Sequence, residues 1–135
     1  MKIVVLKFGG TSVGTIEKIK KVTDIIIEHK KKKNKVIVVS SAMSGVTNDL
    51  IKKSKQISNN FIDSEYDVLV SSGEQVACSL IAGRLNHKGF KSRSWLGWQI
   101  PIFTNGPYTN SRIQQVNKNK LLRFLKEGGL SLIHI

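Results

Sequence analysis

The sequence is short of cysteine, histidine and acidic residues, and each shortage removes a class of chemistry. A single cysteine, Cys78, leaves no internal disulfide framework and no cysteine-based metal cluster. Its neighbours Val76, Ala77, Leu80 and Ile81 make it a small buried hydrophobe rather than a nucleophile. His29, His87 and His134 are scattered without ligand spacing, so no metal site is expected. Apolar runs are short as well. None approaches the ~18 to 20 residues of a membrane span, and the stretch between Lys2 and Lys7 is too brief for a secretory signal. Carboxylates are the scarcest of all relative to their opposites: nine Asp and Glu face 22 Lys and Arg, for a net charge of +13. That excess suits a phosphate-bearing partner, nucleic acid included, and equally a lysine-rich solvated face. The expectation is a reduced, cytoplasmic protein with no membrane contact.

What is present is a core. With 135 residues, 40% of them hydrophobic, the chain suits one domain or a piece of a larger one. Ile3 to Phe8 is a β-branched apolar run ending at Gly9-Gly10 and reads as a buried strand. From Thr15, apolar residues at Ile16, Ile19, Val22 and Ile26 trace a helical stripe that closes in Lys30 to Lys33, where cations oppose the negative helix end. Val36 to Val39 is a second buried strand, followed by a helix from Thr47 or Asn48 that carries Leu50, Ile51 and Ile57. A third helix covers much of Tyr66 to Asn86, where Ser71-Ser72-Gly73 could interrupt it. Ser92 to Leu96, Ile100 to Thr104 and Ile113 to Val116 are strand candidates, with Trp95 and Trp98 as packing residues at a strand end. Lys118 to Lys126 is a last amphipathic helix, stopped by Gly128-Gly129. Strands alternating with helices predict an α/β fold, a three-layer αβα sandwich around a mainly parallel sheet.

Residues 130–135, Leu-Ser-Leu-Ile-His-Ile, begin a further strand and stop. The same six residues are encoded by one reading frame of a common transposon-end sequencing adapter. Residues 1–129 are therefore read as the native part, and 130–135 as a non-native tail from read-through or truncation. A real terminal strand is the alternative.

In an open α/β sheet, ligands bind beyond the carboxyl ends of the strands. Two loops occupy that place. In Lys7-Phe8-Gly9-Gly10-Thr11-Ser12, bare glycine amides can approach an anion and Lys7 can face it, while Thr11 and Ser12 can cap the next helix or bond a phosphate oxygen. The plain alternative is a glycine turn beside a surface lysine. In Ser40-Ser41-Ala42-Met43-Ser44-Gly45-Val46-Thr47, hydroxyl groups gather at a helix start, where Thr47 with Asn48-Asp49 also makes a good cap. Glu74, after Ser71-Ser72-Gly73, is either first-turn electrostatics or a carboxylate for a substrate ammonium.

Lys7-Phe8-Gly9-Gly10-Thr11-Ser12-Val13, Ser41-Ala42-Met43-Ser44-Gly45-Val46-Thr47 and Ser72-Gly73-Glu74-Gln75 resemble three successive motifs of the aspartate kinases, within the amino-acid kinase fold family. Ser94 to Thr104 resembles a fourth and Arg112-Ile113 a weaker fifth, in order and in register from Lys2 to about Gly129. The resemblance implies ATP, carried with Mg²⁺, as co-substrate and L-aspartate as acceptor, giving 4-phospho-L-aspartate on the way to lysine, threonine and methionine. It makes Lys7 the catalytic candidate and Lys7, Phe8, Gly9 and Gly10 the phosphate-binding segment. Thr47 and Glu74 become substrate-binding, with Thr11, Ser12, Ser41 and Ser44 as further contributors. No protein metal ligand is implied, and a homo-oligomer is expected of the full-length protein. The family continues into a glycine-rich segment with a catalytic aspartate, nucleotide-binding residues and usually regulatory ACT domains, none of which occurs here. The fold is therefore expected to be incomplete and the chain by itself inactive.

Two other readings compete. Another amino-acid kinase, of the glutamate 5-kinase or uridylate kinase type, fits the Ser-Ala-Met-Ser-Gly and Ser-Gly-Glu segments less well. A small basic nucleic-acid-binding protein would need a basic face interleaved with aromatics. The lysines instead cluster at helix ends and the aromatics are few (Phe 5, Trp 2, Tyr 2), so no nucleic-acid partner is expected.

Overall fold

The computed structural model describes residues 2–134; Met1 of the 1–129 segment and Ile135 of the 130–135 segment lie outside the described residues. The apolar run Ile3–Phe8 (β1) pairs in parallel with Lys35–Ser40 (β2), from Ile3 opposite Lys35 to Phe8 opposite Ser40. The crossover between them is Ile16–Lys31 (α1), whose stripe Ile19, Val22, Thr23 and Ile26 is buried. Thr15 caps it: its Oγ1 accepts from the Lys18 amide at 3.2 Å.

Two helices follow, Val46–Ile57 (α2) and Asp63–His87 (α3), before the short strand Ser92–Trp95 (β3). The interruption that Ser71-Ser72-Gly73 could have made in α3 does not occur. Ser71 and Ser72 turn their hydroxyls back to the carbonyls of Val68 and Leu69 at 3.0 and 2.6 Å, which keeps both residues helical. Gly73 lies on the packed side of the helix. Gly89, with φ +82°, stops α3; its amide donates to Asn86, and that of Phe90 to Leu85.

Ile102–Asn105 (β4) and Arg112–Val116 (β5) form an antiparallel hairpin outside the main sheet, a pairing that the sequence does not announce. Asn119–Lys126 (α4) ends at Gly128, φ +84°, and at Gly129, where any Cβ would run into the Phe124 ring. Leu130–His134 (β6) then enters the middle of the sheet, parallel to β2 on one side and β3 on the other, giving the order β1-β2-β6-β3.

The architecture is α/β with three layers, as expected. On one face α1 and α3 bury Val36, Val38, Leu130 and Leu132 with Ile26, Ile81 and Leu85. On the other, α4 and the turn after β3 bury Trp95, Ile100, Leu121 and Leu125. Trp95 packs edge-on against Phe124 at 5.7 Å between centroids, whereas Trp98, expected to pack as well, is 70% exposed because it sits on the outer side of a turn.

Candidate functional site

The carboxyl ends of β1 and β2 bring the first two motif segments together. Lys7 lies opposite Val39 and Phe8 opposite Ser40, and the Ser41 amide donates to the Phe8 carbonyl at 3.0 Å. Strand alternation places Lys7 on the sheet face opposite α1, with its side chain exposed.

The first loop closes with a turn in which Ser12 N–H donates to Gly9 O at 2.9 Å. Thr11 and Ser12 do not cap α1, because Thr15, closer to its first turn, takes that role. A residue that the sequence reading missed holds the loop instead: Lys18 Nζ donates to the Thr11 carbonyl at 2.9 Å. Phe8, Thr11 and Ser12 border a cavity of about 290 Å³ with Lys18 and Lys21. Around Gly9 the space is open, while a Cβ on Gly10 would lie 3.0 Å from the Ala42 carbonyl oxygen. The first loop thus rests directly on the second.

In that second loop Gly45 adopts φ +84° as the cap of α2, and the Val46 amide donates to Met43 O at 3.1 Å. Thr47 is therefore not the cap expected of it. The left-handed turn at Gly45 places the cap two residues earlier, and Thr47 stands half-buried in the first turn. Ser41 is half-buried and Ser44 exposed.

Glu74 is not in a first helical turn either, because α3 is unbroken from Asp63 and Glu74 lies roughly three turns along it. It lines a cavity of about 760 Å³ between α3 and the β4–β5 hairpin, walled largely by apolar side chains such as Val70, Ile102 and Ile113. The hairpin is pinned there by Asp67, whose carboxylate accepts from the Thr109 amide at 2.9 and 3.2 Å. His134, at the end of β6, lines the same cavity; burial holds its imidazole below the usual value, and the nearby Glu74 charge partly offsets that. One turn beyond Glu74, burial pushes the Cys78 thiol up to about 11, against a partly compensating contact with the Ser40 backbone. Lys7 and Thr47 border neither of these two cavities.

A family model described as the amino acid kinase family matches residues 2–134. The chain belongs to the amino acid kinase family. Within it, an aspartokinase of Geobacillus stearothermophilus is 44% identical over 133 residues, covering 98% of this chain and 33% of that protein. An aspartokinase of Bacillus sp. strain MGA3 is 43% identical over the same length, covering 98% and 32%. The crystal structure of aspartate kinase from Synechocystis superposes with a TM-score of 0.84 at 34% identity, over 97% of this chain and 21% of that one. This amino acid kinase chain therefore spans about a third of the length of the curated relatives it matches.

The arrangement sets the glycine loop and its lysines on one side of the Ala42–Ser44 segment and, on the other, a carboxylate at an open, largely apolar cavity. Open backbone at Gly9, an exposed lysine at the strand end and a second lysine behind Thr11 suit phosphate oxygens. Among the described residues no three His, Cys, Asp or Glu side chains gather as a metal site. No described helix is long and apolar enough to cross a membrane.

Proposed function

We propose that this chain is the first part of the catalytic domain of an aspartate kinase, which transfers the γ-phosphoryl group of ATP to the side-chain carboxylate of L-aspartate. The observation that carries the reading is the meeting of three motif segments at Ala42–Ser44, where the glycine loop after β1 rests on one side and α3, with Glu74, on the other. The 43–44% identity to aspartokinases over 98% of the chain supports it.

In this reading Lys7 offsets charge on the phosphoryl group, and the amides of Gly9 and Gly10 donate to phosphate oxygens, with Phe8 setting the strand end from which they project. Thr11 and Ser12 flank the phosphates. Thr47 binds aspartate through its hydroxyl and Glu74 pairs with its ammonium, with Ser41 and Ser44 nearby. A carboxylate oxygen of aspartate forms the new bond to phosphorus while the bond to the bridging oxygen of ADP breaks. The attacking carboxylate is already ionised near neutral pH, so no general base is needed. Magnesium bound to the nucleotide would supply charge neutralisation at the phosphates, beside that given by Lys7. The full-length enzyme would work in the cytoplasm as a homo-oligomer, on the route to lysine, threonine and methionine, and the 135-residue chain by itself would be inactive.

The test is aspartate-dependent ADP release by the full-length protein. Lys7→Met is expected to lower kcat by about 10²-fold or more with folding intact. Glu74→Ala is expected to raise the aspartate KM by about 10-fold or more, since a charged pair is lost. Both variants matching the parent would overturn the residue assignment, and a parent that releases no ADP with aspartate would overturn the activity.

A further inference from the structure

Of the eleven glycines, three meet one short stretch of chain: Gly10 and Gly14 from the loop after β1, and Gly73 from α3. A Cβ on Gly10 would sit 3.0 Å from the Ala42 carbonyl oxygen, and one on Gly14 would sit 3.0 Å from Ser44 Cβ. From the opposite side, a Cβ on Gly73 would sit 3.1 Å from Ala42 Cβ, 3.1 Å from Val46 Cγ1 and 3.4 Å from Leu50 Cδ1. Such separations are tighter than ordinary van der Waals contact, so an added methyl group makes its neighbours give by a few tenths of an ångström. Ala42 is 4% exposed and is touched on both sides: its carbonyl bears on the first loop and its methyl on α3. Gly83 lies further along the same helix, and nothing stands within 4 Å of a Cβ placed there. Proximity at Gly73 is therefore particular to that place.

We infer that Ala42 is a positioning residue for phosphoryl transfer: its size, matched to Gly73, sets the spacing between the loop that would hold the phosphates and the helix that carries Glu74. This rests on the aspartate kinase reading above. The two sides differ in what can yield. Gly10 faces backbone within a short turn. Gly73 belongs to a 25-residue helix, which would answer an added methyl by sliding as a body and taking Glu74 with it.

The experiment uses the full-length enzyme with four variants: Gly73→Ala, Ala42→Gly, the exchange Ala42→Gly/Gly73→Ala, and Gly83→Ala as the helix control. Gly73→Ala is expected to raise the aspartate KM by about 10-fold while the ATP KM stays within about twofold, because a displacement of less than an ångström at one subsite weakens that subsite first. The exchange moves the methyl across the contact and is expected to return the aspartate KM to within about twofold of the parent. Gly83→Ala should leave both constants unchanged. An aspartate KM for Gly73→Ala equal to that of Gly83→Ala overturns the proposal, as does an exchange no better than Gly73→Ala. Should Gly73→Ala not fold, the exchange decides: a folded, active exchange supports the fit and a misfolded one overturns it. A parent without aspartate-dependent ADP release sinks the activity instead. The fit is then judged by melting temperatures, where the exchange must recover what Gly73→Ala loses.

Discussion

The two faces of the sheet are finished to different degrees. Against α1 and α3, Val36, Val38, Leu130 and Leu132 are fully buried, and even the edge strand β1 contributes Leu6 and Phe8 to that layer. Against α4 the cover is one eight-residue helix and a turn, and it stops short of β1, where Ile3 and Val5 stay 46% and 60% exposed. Parallel sheets are stable when both faces are covered. The difference teaches that the stability of this chain resides in the α1–β2–α3–β6 layer, while the second face adds a local patch around Trp95.

The comparison would break first at Ile81, which is fully buried at the centre of the thicker layer. Ile81→Ala is expected to cost about 3–4 kcal/mol in urea unfolding, from lost transfer energy and an unfilled cavity. A cost near that of an exposed site would remove the distinction. Cys78, in the same layer, sharpens it chemically. Its thiol, raised from 9.0 to about 11, should react with a disulfide reagent about 10²-fold more slowly in the native protein than in the urea-unfolded chain. The unfolded thiol ionises first, so its contribution to stability is complete below pH 9.0 and is lost as the pH rises towards about 11; Cys78→Ala should remove that part of the slope. On the thinner face Leu125→Ala should cost about 2 kcal/mol, the low end for its type, since a short helix can settle into the space. At the uncovered margin, Val5→Thr should change stability by less than about 0.5 kcal/mol.

Much of this was legible in the sequence where one signal dominated. β1 and β2 are apolar runs too short for helices, α1 is a clean stripe from Ile16, and both motif loops fall just past strand ends. The losses have physical causes. Serines and a glycine read as a break in α3, yet the hydroxyls of Ser71 and Ser72 bond within the helix and Gly73 is selected by what lies against it, Ala42, Val46 and Leu50. No local pattern contains that tertiary fact. The same holds for Thr47, a good cap by type that lost its place to the left-handed turn at Gly45. The hairpin of β4 and β5 reads as two strands, but nothing short of pairing says that they meet each other outside the sheet. At the site, Glu74 lies where its cavity can be seen only in three dimensions, and the hold of Lys18 on Thr11 depends on how the loop folds back.

The placement of β6 has a consequence for assembly. β2 and β3 are joined only through it, although β6 follows both in the chain. Until β6 inserts, the β1–α1–β2 unit can form on local contacts alone, but it presents a bare row of amides and carbonyls along β2, and β3 presents another. During that interval a strand from a neighbouring molecule could enter the gap as readily as the chain's own. Refolding yield should therefore fall steeply with protein concentration, and a dilute, slow renaturation should favour the intramolecular product.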